Sequence, residues 1–120
     1  MGKGVRLALG PRARLTLGAG AWLGDGTRVQ ASGAVGIGAR TLVGERSVVI
    51  ADAGVSVGDS CVIGDEVLLS DNVRVGSRVR IGPRACLMTG AEVPDGTVIL
   101  ARSVVEGPGR AQTVARSRSR

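Results

Sequence analysis

The chain has no histidine, no phenylalanine and no tyrosine, and only one tryptophan, Trp22, in 120 residues. Without histidine there is no imidazole base and no three-histidine metal site. Two cysteines, Cys61 and Cys86, are too few for a disulfide framework and show no metal-ligand spacing. A reduced, cytoplasmic setting is the expectation, with no metal. Long apolar runs are missing too, so no membrane-spanning segment and no membrane partner are expected. Arg6, Arg12 and Arg14 interrupt what a secretory leader would keep apolar. A globule of this size ordinarily fills its centre with aromatic rings. This chain must do so with Val, Leu, Ile and Ala, which suits a narrow interior of constant width.

Glycine, in contrast, is abundant at 20 residues, and the formal net charge is +6. Arg110, Arg116, Arg118 and Arg120 account for much of that excess, and no acid follows Glu106. The basic balance reads as a tail property, so a nucleic-acid partner is not expected.

The strongest signal is a period of six. Aliphatics recur at Val57, Ile63, Leu69, Val75, Ile81, Leu87, Val93, Ile99 and Val105. Upstream the same spacing runs through Leu17, Leu23, Val29 and Val35, then through Ile37, Val43, Val49 and Val55, with Leu9 and Leu15 leading in. The phase slips by two between Leu15 and Leu17, Val35 and Ile37, and Val55 and Val57. Three hexads make one coil, so early coils should carry two extra residues at one corner.

Four residues after each aliphatic comes a small or β-branched residue: Ala13, Ala21, Thr27, Gly33, Thr41, Ser47, Ala53, Cys61, then Val67 onward to Ser103. Strand alternation with period two sends both sets inward. Glycine directly after the aliphatic, as at Gly44 and Gly64, marks a tight corner or a close backbone approach. The pattern predicts an all-β parallel β-helix of about five coils. The expected layout is an N-terminal lead-in (1–8), the β-helix (9–106) and a basic disordered tail (107–120).

Outward residues precede each inward aliphatic. One column reads Trp22, Leu42, Val62, Arg80 and Val98; a second reads Arg28, Val48, Leu68, Cys86 and Val104; a third reads Ala34, Gly54, Arg74 and Glu92. Two faces expose apolar stripes, which a monomer should not show to water.

Val57-Gly-Asp-Ser-Cys-Val-Ile-Gly-Asp-Glu-Val-Leu-Leu-Ser-Asp-Asn72, the coil from Val75 to Gly90, and Leu100-Ala-Arg-Ser-Val-Val105 resemble the bacterial hexapeptide-repeat transferases. That resemblance implies a left-handed β-helix, an acyltransferase activity with acetyl-CoA or another acyl-CoA as co-substrate, and a sugar-like hydroxyl or amine acceptor. It also implies a homotrimer, here through Trp22, Leu42, Val62, Val48 and Leu68. The family's catalytic histidine and active-site loop would follow Ser70-Asp71; this chain has Asn72 and passes directly into Val73. Asp71 is then the candidate base, Asn72 the position of the missing histidine, and Ala101 the candidate contact to the cofactor. Some succinyltransferases of the family are held to work without a histidine base. The alternatives are that Ser70-Asp71-Asn72 is a corner satisfying its own backbone, and that the chain is a non-catalytic scaffold or an accessory subunit in a mixed trimer.

Overall fold

The computed structural model describes residues 2–106, 109–110 and 114–115. Among the described residues every regular element is a strand, and every pairing is parallel. Sheet A stacks β1 (Arg6–Leu9), β4 (Arg28–Ala31), β7 (Val48–Ala51), β10 (Leu68–Leu69), β13 (Cys86–Leu87) and β16 (Val104–Val105). Sheet B stacks β2 (Arg14–Leu17), β5 (Ala34–Ile37), β8 (Gly54–Val57), β11 (Arg74–Val75), β14 (Ala91–Val93) and β17 (Gly109–Arg110). Sheet C stacks β3 (Trp22–Leu23), β6 (Leu42–Val43), β9 (Val62–Ile63), β12 (Arg80–Ile81), β15 (Val98–Ile99) and β18 (Val114–Ala115). The chain visits A, B and C in turn and climbs one rung per circuit. This is a parallel β-solenoid of about five turns, as the hexad period predicts.

The core is the column of inward aliphatics. Leu23, Val29, Val49, Leu69 and Leu87 are all fully buried. Inward Thr27, Thr41 and Ser47 are satisfied by the next coil, whereas Thr97 Oγ1 donates within its own corner to Pro94 O at 2.7 Å. Thr27 Oγ1 donates to Gly44 O at 2.9 Å, Thr41 Oγ1 to Gly58 O at 2.6 Å, and Ser47 Oγ to Gly64 O at 3.1 Å. Cys61 continues this set, its Sγ lying 3.0 Å from Gly76 O. Burial pushes the Cys61 thiol pKa up, so it is a packing residue and not a thiolate.

The glycines after each inward aliphatic serve close stacking. A Cβ on Gly44 would collide with the Asp65 carboxylate and come within 2.6 Å of Gly64 C. The left-handed conformation falls two residues later and mostly on non-glycine residues: Arg40, Arg46, Ser60, Glu66, Asn72, Arg78, Arg84 and Arg102 have φ of 56–64°. Such a conformation costs about 1 kcal/mol or more for each L-residue. It is offset by an inter-coil bond at every one of these corners, for example Arg46 N to Asp25 O at 2.8 Å and Glu66 N to Glu45 O at 2.8 Å.

Register corrects two details of the sequence reading. In the early coils β4 and β7 are four residues long, and Ala31 and Ala51 are the small inward residues. Ala53, expected inside, is exposed at the corner, and Gly33 is half-buried there. The cause is the pair of extra residues, which sits at the corner from sheet A to sheet B. That corner loses them between the third and fourth coils. Val48 pairs with Leu68, 20 residues on, but Ser56 pairs with Arg74, 18 on. The third outward column therefore runs Gly36, Ser56, Arg74 and Glu92, and not through Ala34 and Gly54. The first two columns stand as read.

Strand pairing begins at Arg6, ahead of the expected boundary at residue 9. Within the segment expected to be a disordered tail, β17 and β18 extend sheets B and C. The rest of that expectation lies outside the described residues. No helix among the described residues is long and apolar enough to cross a membrane.

Candidate functional site

The candidate site lies at the corner between β10 and β11, where the coil shortens. Its residues are set by a repeated device. In each coil an aspartate at the start of a corner reaches back and accepts an amide of the coil before. Asp25 Oδ1 accepts Lys3 N at 2.7 Å, Asp59 Oδ1 accepts Ala39 N at 2.8 Å, Asp65 Oδ1 accepts Glu45 N at 2.8 Å, and Asp95 Oδ1 accepts Ser77 N at 2.8 Å. Asp71 belongs to this set. Its Oδ1 accepts Ala53 N at 2.7 Å and Gly54 N at 3.1 Å.

Burial works against the charged form of Asp71, but the amides of Gly54, Ala53, Asn72 and Asp52 outweigh it. The carboxyl is held below its ordinary pKa. A lowered pKa suits an anion that caps backbone and weakens a general base. One signal in the sequence pointed to this: Asp59, Asp65 and Asp71 are themselves spaced by six.

Asn72 follows in the left-handed conformation, φ 60°, and its amide donates to Gly54 O at 2.8 Å. Its side chain has no hydrogen-bond partner among the described residues. It borders an open cavity of about 300 Å³ with Ser56, Arg74, Gly36 and Gly54 in the wall. A Cβ on Gly36 would meet nothing within 4 Å, so the fold itself does not require glycine there. Glycine inside a strand without a packing reason keeps a surface clear for close approach.

Ala101 lies elsewhere. It is exposed at the corner between β15 and β16, joining sheet C to sheet A, and its amide stands against Gly82. Asp71 and Asn72 share one corner of the prism, while Ala101 sits on another. A single chain does not bring them together. Cys86 is half-buried on the outer face of sheet A, in register with Leu68 and Val104. No group of three His, Cys, Asp or Glu side chains able to hold a metal occurs among the described residues.

The outer face of sheet C carries Trp22 and Leu42, each 47% exposed, and Val62, 46% exposed, in continuous register. Val48 and Leu68 stack on sheet A and are half-buried. The apolar stripes are therefore real surfaces of the monomer.

Residues 34–69 match the family model described as the hexapeptide repeat of succinyl-transferase. No curated protein matches the chain. Among solved structures, the acetyltransferase domain of PglB from Neisseria gonorrhoeae FA1090 is similar at 26% identity and a TM-score of 0.40, over 83% of this chain and 49% of that one. A hexapeptide transferase family protein from Anaplasma phagocytophilum is similar at 17% identity and a TM-score of 0.40, over 94% of this chain and 74% of that one. The chain thus spans about half the length of the PglB domain. Its matched segment covers β5 through β10, the coils that lead into the Asp71 corner. Residues 34–69 thus carry a hexapeptide repeat like that of succinyl-transferase, set within the parallel β-solenoid.

Proposed function

We propose that this solenoid is an acyltransferase that moves an acyl group from an acyl-CoA to an amine or hydroxyl of a sugar-like acceptor. The observation that carries the reading is the succinyl-transferase repeat over residues 34–69, which ends just before the Asp71–Asn72 corner. In this reading the protein is a homotrimer. The stripe of Trp22, Leu42 and Val62 is buried against a neighbouring prism, with Val48 and Leu68 contributing from sheet A. Assembly answers the separation of the candidate residues, because the corner of one chain can then face Ala101 of another.

The chemistry selects among acceptors. An alcohol needs a base during attack, and Asp71, committed to two amides, is a weak one. An α-amino group with a pKa of about 8 already holds a usable free-base fraction at neutral pH. An amine acceptor therefore fits this corner better than a hydroxyl. In this reading the side-chain amide of Asn72, without a partner among the described residues and bordering the cavity, donates to the oxyanion of the tetrahedral intermediate.

The test begins with binding of acetyl-CoA and succinyl-CoA by calorimetry. CoA release is then measured with amino sugars and matched neutral sugars. Saturable binding and faster release with the amine support the proposal; no binding at millimolar acyl-CoA defeats it.

A second reading, a non-catalytic scaffold or accessory subunit, draws on the same corner. Asp71 shares its geometry with Asp59 and Asp65, which serve only the backbone. A trimer that binds no acyl-CoA would select this reading.

A further inference from the structure

One stack of cations in this solenoid is bridged by an acid. Where sheet C turns into sheet A, Arg46, Glu66 and Arg84 rise one above another. Glu66 accepts Arg46 Nε at 3.3 Å and Arg84 Nε at 3.0 Å. These bonds, that from Arg84 foremost, hold the Glu66 carboxyl below its ordinary pKa. One corner away, Arg78 lies 3.9 Å from Asp95.

The first two rungs of sheet A have no such acid between their cations. Arg6 and Arg28 are register partners, both exposed on the outer face. Their backbones are about 4.8 Å apart by strand spacing. Like charges directly opposite each other are destabilising. Neither arginine has an ion-pair partner among the described residues.

The wider charge distribution points the same way. In the first 34 residues Lys3, Arg6, Arg12, Arg14 and Arg28 face Asp25 alone. One oxygen of Asp25 is already taken by the Lys3 amide, at 2.7 Å. Residues 35–106 carry seven basic side chains against nine acids. The formal charge is thus positive over the first coil and mildly negative over residues 35–106.

Arg6 and Arg28 also border a groove. A cavity of about 210 Å³ is walled by both arginines, Ala8, Val29 and Gln30. It shares Ala8 and Gln30 with a neighbouring cavity of about 390 Å³, which continues past Leu9 and Ile50 to Asp52. The result is a cationic head, a floor that mixes the aliphatic side chains of Ala8, Leu9 and Ile50 with polar surface, and one acid at the far end.

We propose that this groove is a binding site for a phosphorylated small molecule of nucleotide size. Its phosphate or diphosphate lies between the Arg6 and Arg28 guanidiniums, with the Gln30 amide beside it. The uncharged part extends over Ala8, Leu9 and Ile50. Two neighbouring guanidinium forks match a multiply charged phosphate better than a single carboxylate. The site stands at the first coil, about five rungs and roughly 24 Å along the axis from Ala101. It is separate from the proposed acyl-CoA contact, and either can fail without the other.

Calorimetry of the whole chain at low salt, with pyrophosphate, ADP and adenosine, tests the site. The expected result is saturable pyrophosphate binding at one site per chain and none for adenosine. ADP binding more tightly than pyrophosphate would identify the phosphate of a nucleotide; equal affinity would identify the phosphate group itself as the ligand. Arg28→Gln should weaken binding at least tenfold, and so should Arg6→Gln if the first variant does not fold. Arg46→Gln, in the neutralised stack, should leave it unchanged. Relief of like-charge repulsion should also raise the Tm of ligand-free Arg6→Gln. The proposal is overturned if millimolar pyrophosphate gives no saturable binding, if Arg46→Gln weakens it as much as Arg28→Gln, or if only single-stranded DNA binds.

Discussion

The carboxylate of Asp71 accepts the backbone amide of Ala53 across one coil, at 2.7 Å. That bond ties the shorter fourth coil to the longer third one at the corner where their lengths differ.

Removing it should cost stability before it costs chemistry. Asp71→Ala should lower stability by about 1 kcal/mol, as expected for lost hydrogen bonds at a solvated corner, and Asp71→Asn by less. The pH dependence follows from the lowered pKa in the folded state. Stability from the anion is complete above the unfolded carboxyl pKa of about 3.9 and is lost as pH falls through the lower folded value. Melting curves of wild type and Asp71→Asn should therefore differ near neutrality and converge in acid. If Asp71 only caps backbone, Asp71→Asn should also keep whatever CoA release the wild type shows.

Two glycines should respond in opposite ways. Gly44→Ala forces a Cβ into the backbone of the next coil and should destabilise by at least about 2 kcal/mol. Gly36→Ala meets open space and should stabilise by about 0.5–1 kcal/mol through the unfolded chain. Paired denaturant titrations would show whether stacking distance or mere glycine content is at work.

The two thiols should differ in reactivity. Cys86 is half-buried on the outer face, whereas Cys61 is fully buried with a raised pKa. A thiol reagent should label Cys86 in the native protein and both residues after denaturation. Cys61→Ser should be nearly neutral, because Thr41 and Ser47 make the same inward bond from equivalent positions.

The apolar stripe on sheet C should set the assembly state. Leu42→Arg places a charge between Trp22 and Val62, at the centre of the proposed interface. Light scattering should show wild type at three chains and Leu42→Arg at one. A single-chain mass for the wild type would remove the trimer.

The inward columns were legible because a period of six recurs without interruption from Val57 to Val105. The outward columns on sheets A and C followed from the same count. Sheet B did not, since Arg74 lies as far from Val75 as Gly54 from Val55, and only the path of the intervening corner decides that Ser56 is its partner. The role of Asp71 was half legible. Its place in a series with Asp59 and Asp65 was visible, but a carboxylate that reaches across coils looks, in a linear chain, like one free to act as a base. The Arg6–Arg28 pair was hidden because the two residues are 22 apart, a spacing no hexad count produces.

The shortening at the corner between sheets A and B has a further consequence, which is one of parity. Coils in this molecule differ by even numbers of residues, 22 at Arg6–Arg28, 20 at Val48–Leu68 and 18 at Leu68–Cys86. An even change leaves every later side chain on its own side of the wall. An odd one would turn the wall inside out from that point on, sending Val73 and Val75 to water and Arg74 to the axis. Lineages of such a solenoid can therefore lengthen or trim the extended strands that meet at this corner two residues at a time without turning a side chain to the wrong side.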